Sequence, residues 1–311
     1  MAGYKDSNGS RIDLNAALVF VRVIQAGSFS RAAKQIEMPV STVSAKVAAL
    51  EKSLGVSLIQ RTTRRLHLTE SGEAYFKHAV RAVGELQLAQ TMTQEARDGV
   101  RGKIKVTAPV EIGMSSLAVS VSSFLAKHHE LQVELILTDR VVDLVGEGVD
   151  IAIRMGELKD SSLISKRIGL SGMHAFASPA YLKKNPAIKK PQDLENHACL
   201  IFSNVYDGYW TLERASEKAH PKSTLRVPIR GAFAANNLIA IHRLALDGRG
   251  VALLPSFLCR DDEEKKRLVP VLEGWGTKLH PVHLVYPQQS FLPKATRALI
   301  DHLAQTMQEV F

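Results

Sequence analysis

Apolar residues recur at helical spacing near the start of the chain. Leu14, Leu18 and Val21 lie three or four positions apart behind Asp13, a residue type that often caps a helix. The stretch SFSRAAKQI that follows predicts a second, short helix. Pro39 then marks a boundary, because proline disfavours helical geometry in the residue before it. The pattern therefore predicts two helices followed by a break.

A third helix is predicted from Ser41 to Leu54. Val43, Val47 and Leu50 share one apolar stripe with Leu54. The opposite face carries Ser41, Thr42, Ala45, Ala48, Ala49 and Lys52, flanked by Ser44 and Lys46, so it is small and polar. Small side chains let a helix enter the major groove of DNA, and hydroxyls reach bases or phosphates. Two short helices joined by a tight turn, the second with such a face, predict a helix-turn-helix.

Three arginines lie in the RTTRR stretch that follows, at Arg61, Arg64 and Arg65. Short apolar alternation on either side predicts a two-stranded hairpin with this stretch at its tip. A hairpin beside a helix-turn-helix is a wing, and a basic tip would reach the DNA backbone or the minor groove. The alternative for such a turn is a solvated loop, which its place next to the helix pair disfavours.

The positive charge of the chain is concentrated at its start. The formal net charge is +9, and residues 1–69 hold 10 Lys and Arg against 4 Asp and Glu. The remaining residues hold 30 basic against 27 acidic side chains, which is nearly balanced. A basic segment on a neutral body indicates a nucleic-acid-binding head, although charge alone is equally compatible with a soluble basic face.

A long helix is predicted over residues 70–99, with Thr69 as its cap. An approximate apolar stripe runs along it: Phe76, Ala79, Val83, Leu86 and Thr93. This stripe either packs on the helix's own domain or pairs with a second subunit. The segment DGVRG ends the helix and is interpreted as a hinge.

Strand and helix patterns alternate from residue 103 onward. Strands are predicted in IKVTAP, VELILT, DIAIRM, HAFASP, CLIF, GVALL and VHLVYP, with two more in Leu225–Phe233. Helices are predicted in Ser115–Lys127 and VVDLVGEG, from Pro179 onward, in Asn237–Leu246 and in Lys294–Gln308, and a turn is predicted at Pro255. Such alternation predicts a largely parallel α/β fold in two similar lobes, with a ligand cleft at the carboxyl ends of the strands.

Several other classes of function find no support. The sequence contains no GxSxG, GxxxxGK[ST], HExxH or GxGxxG pattern, so we expect neither an enzyme nor a cofactor. The His128–His129 pair and the HPVH stretch have no acidic or cysteine partner at metal-ligand spacing.

Cys199 and Cys259 are interpreted as buried thiols, with redox sensing as the alternative. No apolar run approaches the roughly 20 residues that span a bilayer. The leader MAGYKDSNGS is not predicted to be a signal peptide, so we expect a cytoplasmic protein.

The segments AGSFSRAA, ALEKSLGV and RTTRRLHLTESG together resemble the N-terminal domain of LysR-type transcriptional regulators. The resemblance implies a winged helix-turn-helix over residues 12–69, a linker and dimerisation helix over 70–99, and an effector-binding domain over 103–311. It places the recognition helix at about Ser41–Leu54. The expected DNA contacts are Ser30, Arg31, Ser41, Thr42, Ser44, Ala45, Lys46, Lys52, Arg61, Arg64 and Arg65. Ala45 departs from the family, since many members have arginine there, and alanine cannot read guanine directly.

The stretches FASPAYL, PQDLENHACL and GVALLPSFL resemble the LysR effector-binding domain, which is similar to bacterial periplasmic binding proteins. Finer detail in VDLVGEGVDIAIRMGEL is similar to a subgroup that includes a repressor of bacterial adhesion genes. One lobe is expected over about residues 103–173 and 270–311, and the other over about 174–269. The implied effector contacts are Thr107, Ala108, Pro109, Val110, Thr138, Asp139, Arg154, Phe202, Ser203, Asn204, Asn236 and Pro255. Ala108 stands where other members have serine or threonine, which weakens the case for a small carboxylate effector.

Two hypotheses concern the chemistry of this effector site. Backbone N–H groups at the start of the helix after Pro109 would hold an anionic group. Arg154 would pair with a carboxylate of the ligand, or alternatively forms a structural ion pair with a neighbour such as Asp150.

We therefore expect a transcriptional regulator whose DNA binding responds to a small molecule bound between the two lobes. The expected partners are double-stranded promoter DNA, a second copy of the chain in a homodimer or homotetramer, and the small-molecule effector, with no membrane and no metal. A solute-binding protein would explain the two lobes but not the basic head. A redox-responsive regulator acting through Cys199 is the other alternative.

Overall fold

The computed structural model describes residues 13–61, 66–98, 101–158, 163–214, 223–231, 233–288 and 292–311. These residues form two compact units. The first comprises the described residues of Met1–Arg101, Val142–Asp150 and Gln289–Lys294, and the second those of Gly102–Val141, Ile151–Gln288 and Ala295–Phe311.

Helices and one hairpin build the first unit. Its elements are α1 (Leu14–Ala26), α2 (Phe29–Gln35), α3 (Val40–Leu54), β1 (Ile59–Arg61), β2 (Leu66–Leu68) and α4 (Glu70–Asp98). The hairpin strands are antiparallel, with Ile59 opposite Leu68 and Arg61 opposite Leu66. The predicted order of three helices, a small hairpin and a long helix is therefore confirmed.

Local chemistry sets the ends of these helices. The Asp13 carboxylate accepts hydrogen bonds from the N–H groups of Asn15 and Ala16, at 2.9 and 3.0 Å, and so caps α1. Gly27 ends α1 in the left-handed region at φ 62°, which favours glycine. Ser28 precedes α2 but makes no side-chain capping bond. The cap predicted for α1 at Asp13 is therefore confirmed.

The core of the first unit forms where α1 meets α2, α3 and α4. Phe20 is fully buried there, and its ring makes edge-on contacts with Tyr75 and Phe76, at centroid distances of 5.6 and 6.3 Å. Ala32 and Ala33 are buried in the same core, because small side chains allow close helix contact. The first turns of α4 thus belong to the helix-turn-helix core.

The segment Val142–Asp150 belongs to this unit and is not a helix. It forms turns, in which the Asp143 carboxylate accepts the Gly146 N–H at 3.1 Å and Gly148 has φ 62°. The helix predicted for VVDLVGEG is therefore wrong, because an aspartate turn and two glycines compete with helical geometry. Val145 packs against the core of the unit, and the Gln25 side-chain amide donates to the Gly146 carbonyl at 3.3 Å.

The second unit is built of strands and helices. Its helices are α5 (Val110–Ile112), α6 (Ala118–Leu125), α7 (Pro179–Leu182), α8 (Leu238–Leu246), α9 (Ser256–Glu264) and α10 (Lys294–Gln308). Its strands are β3 (Gly102–Ala108), β4 (Leu131–Leu137), β5 (Ile151–Met155), β6 (Leu163–Ser171), β7 (Met173–Ala177), β8 (Cys199–Phe202), β9 (Tyr209–Arg214), β10 (Thr224–Pro228), β11 (Phe233–Ala235), β12 (Val251–Pro255), β13 (Val269–Pro270), β14 (Trp275–Gly276) and β15 (His280–Pro287). A π-helical turn over Gly113–Leu117 joins α5 to α6.

Two mixed sheets organise these strands. The five-stranded sheet has the order β4-β3-β5-β15-β6, and the eight-stranded sheet has the order β10-β9-β14-β7-β12-β8-β11, with β13 on β7. Strand β3 is parallel to β4 and β5, and β8 is parallel to β11 and β12. The other pairings are antiparallel. The expectation of a largely parallel sheet is therefore wrong, because the returning strand β15 inserts antiparallel beside β5 and the hairpin β9–β10 forms an edge.

The second unit departs from the sequence predictions in four further ways. Strands β6 and β9 were not predicted; most of β6 is exposed, so it lacks an apolar alternation. The turn expected at Pro255 starts a helix instead, α9, whose sequence SFLCRDDEE is mostly polar. Of the strand pair expected in Leu225–Phe233, only β10 lies in that range; β11 begins at its last residue, and the two do not pair, since β10 pairs with β9 and β11 with β8. The helix predicted from Ser115 starts earlier, at Val110.

Candidate nucleic-acid interface and effector site

One face of α3 is buried in the helix-turn-helix core. Val43 and Val47 are fully buried and Leu50 is 3% exposed. Leu54, the last residue of the helix, is 40% exposed and does not continue the buried stripe. Gly55 ends the helix in the left-handed region at φ 70°. The predicted stripe therefore holds for its first three members only.

The opposite face of α3 is open to solvent and carries the predicted contact residues. Six positions on it are exposed: Ser41, Thr42, Ala45, Ala48, Ala49 and Lys52. Ser44 and Lys46 are half-buried at its flanks, and Ser30 and Arg31 are exposed on α2. No long side chain other than lysine projects from this face, so the helix backbone can approach a surface closely.

The start of α3 adds a polar feature to this face. Pro39 precedes the helix and provides no side-chain hydrogen bond to the N–H groups of the first turn. Such N–H groups, with the positive end of the helix dipole, are suited to phosphate oxygens.

The hairpin lies directly after α3, as predicted for a wing. Arg61 ends β1, whereas Arg64 and Arg65 fall outside the described residues. The base of the hairpin is fixed by a residue that was not predicted. One carboxylate oxygen of Glu51 accepts the N–H groups of Leu58 and Ile59, at 2.8 and 3.0 Å. No spacing rule in the sequence signals a contact between a helix glutamate and amides seven and eight residues later.

The apolar stripe of α4 serves its own unit over its first turns. Ala79 and Val83 are buried in the helix-turn-helix core, and Phe76 packs against it. Leu86 is 51% exposed, and the side chain of Thr93 falls outside the described residues. Packing on the helix's own domain, one of the two alternatives, is therefore correct for the first part of the stripe.

Four predicted effector residues lie at one end of the five-stranded sheet. Thr107 and Ala108 end β3, and Thr138 and Asp139 follow β4. The Thr138 N–H donates to the Ala108 carbonyl at 3.0 Å. The buried Thr107 hydroxyl donates to the carbonyl of Ile136 at 2.8 Å, so this side chain already serves the sheet.

The helix start after β3 differs from the hypothesis of an anion site. Pro109 leads into α5, which has three residues, and the Val110 N–H donates to the Asp139 carboxylate at 3.3 Å. Glu111 is 8% exposed; burial raises the pKa of its carboxyl, its own backbone N–H lowers it and Asp139 raises it. Because the protein's own carboxylates occupy this helix start, it is unsuited to an anionic ligand. Glu111 was not predicted, and its single acidic position carries no sequence signal.

Arg154 lies within β5 rather than after it. It is half-buried and pairs in register with His283 of β15. The neighbouring strand β6 places Arg167 opposite the same histidine, so three basic positions line up across the sheet.

The remaining effector residues share one end of the eight-stranded sheet. Phe202 ends β8, Ser203 and Asn204 follow it, Asn236 follows β11 and Pro255 ends β12. The Ser203 N–H donates to the Ala235 carbonyl at 2.8 Å. Helix α8 starts just after Asn236 and contacts α5, the helix that follows β3 of the five-stranded sheet. The two sets of predicted residues therefore belong to neighbouring elements.

Both cysteines are buried, as predicted. Burial raises the pKa of the Cys199 thiol to about 12, and its sulfur lies 3.8 Å from the Leu194 carbonyl. Burial also raises the pKa of the Cys259 thiol, and the acidic groups of Asp262 and Glu263 raise it further. Thiolate is the reactive form of cysteine, and burial together with a raised pKa disfavours it at both positions.

The described residues give no sign of a metal site or of a membrane span. They contain no cluster of three or more histidine, cysteine or acidic side chains able to hold a metal ion. Among them, none of the helices combines the length and the apolar character needed to cross a membrane.

A helix-turn-helix with a hairpin, a long helix and a two-sheet α/β unit together define a DNA-binding transcriptional regulator with a ligand-binding domain. Comparison with known families agrees. "Bacterial regulatory helix-turn-helix protein, lysR family" matches residues 14–73, and "LysR substrate binding domain" matches residues 97–308. The chain belongs to the LysR family of transcriptional regulators.

Similar proteins span nearly the whole chain. The HTH-type transcriptional regulator PtxR of Pseudomonas aeruginosa is 33% identical over 297 residues, which cover 95% of this chain and 93% of PtxR. The structure of CrgA, a LysR-type transcriptional regulator from Neisseria meningitidis, is 32% identical at a TM-score of 0.59 and covers 96% of this chain and 99% of that chain. The full-length virulence activator AphB of Vibrio cholerae is 28% identical at a TM-score of 0.61, with 94% and 99% covered.

Proposed function

We propose that this protein is a cytoplasmic, homo-oligomeric regulator that binds promoter DNA through α3 and the hairpin, and whose DNA binding changes when a small molecule binds between the two sheets of its second unit. One observation carries the DNA-binding part. The solvent face of α3 is small and hydroxyl-bearing, and the hairpin that leads to Arg61, Arg64 and Arg65 lies directly after it.

In this proposal the head contacts both base edges and phosphates of the DNA. Thr42, Ser44 and Ala45 meet base edges in the major groove, where hydroxyls accept or donate and a methyl group contacts thymine. The wing arginines and Lys52 meet phosphates, which sets the register of the helix without reading sequence. Two copies of the chain would then read two half-sites of a near-palindrome.

Dimerisation in this proposal depends on the later part of α4. Of the stripe residues before Leu86, Ala79 and Val83 are buried in the chain's own core and Phe76 packs against it. Leu86, which is 51% exposed, would lie in the part of α4 that pairs with a second copy, as the long helix of this family does.

The effector would occupy the junction of α5 and α8, near the ends of β3, β8 and β12. Its binding would shift one sheet against the other and so change how paired subunits hold the DNA. DNA and effector must then change each other's affinity by the same factor. The acidic helix start at Asp139 and Glu111 favours an effector that is not bound there through a carboxylate.

The redox-responsive alternative is less well supported than the small-molecule one. Both thiols are buried and have raised pKa values, and both properties disfavour oxidation.

Genome-wide mapping of the sites that the protein occupies tests the proposed function. We expect a set of promoter sites with two-fold symmetry. A thermal-shift screen with small metabolites, suggested by the neighbouring genes, tests the effector part, since a ligand that binds only the folded state raises Tm. Uniform occupancy of the genome would contradict sequence-specific regulation, and a screen without any stabilising compound would count against the small-molecule effector.

A further inference from the structure

We propose that Glu51 is a positioning residue that locks the wing to the recognition helix, and so fixes the spacing between the two DNA-contacting elements of the head. The proposal rests on the proposed DNA-binding function. Glu51 lies near the end of α3 and is half-buried, between the exposed contact face and the base of the hairpin.

One oxygen of the Glu51 carboxylate serves two backbone amides. A single oxygen of the Glu51 carboxylate accepts the N–H of Leu58 at 2.8 Å and the N–H of Ile59 at 3.0 Å. Hydrogen bonds from N–H groups to an ionised carboxylate are shorter and stronger than those between neutral groups. The first residues of the hairpin are thereby tied to the helix that precedes it.

The start of α4 holds the same point from the other side. The Leu58 carbonyl accepts the N–H of Thr69 at 3.0 Å, and the Thr69 hydroxyl donates to the Ser57 carbonyl at 2.7 Å while accepting the Gly72 N–H at 2.9 Å. Leu58 itself is 1% exposed. The base of the hairpin is therefore held by α3 and by the start of α4, in addition to the pairing of its own strands.

This arrangement has a consequence because the hairpin is short. Each strand has three residues, and an isolated two-stranded hairpin is only marginally stable. Without the Glu51 carboxylate, the N–H groups of Leu58 and Ile59 lose their acceptor. The described base of the hairpin, at Leu58 and Ile59, would then no longer be held to α3.

The substitutions separate this role from charge and from folding. Glu51→Ala removes the acceptor. Glu51→Gln removes the charge but keeps a carbonyl oxygen that can accept both N–H groups. Glu85→Ala, at an exposed position of α4, is the control for the loss of one negative charge.

Amide hydrogen exchange of the full-length chain tests the anchor without DNA. In Glu51→Ala we expect the Leu58 and Ile59 amides to exchange at least about 10-fold faster, while the Val47 amide in the middle of α3 keeps its rate. Glu51→Gln and Glu85→Ala should leave these amides protected. Unchanged exchange in Glu51→Ala overturns the anchor, and equally fast exchange at Val47 shows a loss of the whole fold instead.

Affinity for DNA tests the positioning role. The probes are a duplex from the region upstream of the protein's own gene and a duplex of scrambled sequence, titrated at several salt concentrations. Glu51→Ala should weaken binding about 10-fold and flatten the dependence on salt by about one unit. Combined with Arg64→Ala and Arg65→Ala, it should cause little further loss, because the wing contacts are already gone.

Two results contradict the positioning role. One is a loss of affinity in Glu51→Ala that adds fully to that of the arginine substitutions, and the other is a Glu51→Gln variant as weak as Glu51→Ala. If the wild-type chain binds neither duplex, the proposed function itself fails, and the positioning role fails with it. The exchange experiment needs no DNA, so it tests the Glu51 anchor even when DNA binding itself fails.

Discussion

Gly72→Ala should destabilise the first unit, because no space exists for a side chain at that position. A Cβ atom on Gly72 would lie 2.0 Å from the Leu58 carbonyl oxygen and 2.9 Å from its carbon. Both are backbone atoms, so no rotamer change relieves the contact, and the hairpin base must move away from α4. Overpacking of this kind costs about 1–3 kcal/mol, and the better helix propensity of alanine returns up to about 1 kcal/mol. We expect a net loss of about 1–2 kcal/mol.

The two units can be followed by separate signals in one experiment. Trp210 and Trp275, the two tryptophans of the chain, both lie in the second unit, so tryptophan fluorescence reports on that unit alone. Far-UV circular dichroism also detects the largely helical first unit. Gly72→Ala should lower the first-unit transition by about 5–10 °C, at roughly 4–8 °C per kcal/mol for a unit of this size. The fluorescence transition should stay where it is.

Gly84→Ala is the matched control in the same helix. A Cβ atom there meets nothing within 4 Å, so this variant should gain about 0.5–1 kcal/mol from helix propensity. A Gly72→Ala protein that melts like wild type, or that gains stability as Gly84→Ala does, would show that the hairpin base does not lie against α4.

Three further predictions concern the DNA contacts and the buried thiol. Arg64→Ala with Arg65→Ala should weaken binding to every duplex and flatten the salt dependence by about one unit per lost phosphate contact, and an unchanged slope would contradict the wing. Thr42→Val should change the preference between sites in a competition assay, whereas equal loss on all sites would argue against base readout. The raised pKa of Cys199, about 12 against an ordinary value of 9.0, stabilises the second unit below pH 9, because the unfolded state gives up this proton first as the pH rises. Denaturation followed by tryptophan fluorescence should therefore show falling stability from pH 9 upward, and Cys199→Ala should reduce that fall; the same decline in both proteins would refute this assignment.

Local chemistry made the first unit predictable. Asp13 and Gly27 bracket α1, and the spacing of Val43, Val47 and Leu50 fixes the buried face of α3. Each of these signals acts over a few residues, so it can be read from the chain directly. The exposed face of α3 follows from the same periodicity, because its residues are what the buried stripe leaves over.

Long-range pairing made the second unit less predictable. The insertion of β15 beside β5 joins residues about 130 positions apart, and no local pattern sets its direction. The exposed strand β6 lacks alternation for a similar reason, because little of it contacts the core. The turn at Val142–Asp150 was misread because its apolar residues have helical spacing, while Asp143, Gly146 and Gly148 favour turns.

Side-chain to backbone contacts across elements were beyond the sequence patterns. Glu51 looks like a solvated helix residue until the fold brings Leu58 and Ile59 to its carboxylate. Asp139 looks like part of a ligand site until its carboxylate is found on the Val110 N–H. Such contacts depend on the placement of two elements, which periodicity alone does not supply.

Binding of the full-length chain to duplex DNA tests the central claim most directly. It is measured by fluorescence anisotropy between about 50 and 200 mM salt. We expect a duplex from the protein's own upstream region to bind more tightly than a scrambled duplex, with an affinity that falls steeply as salt rises. No binding to either duplex at the lowest salt concentration would contradict the account.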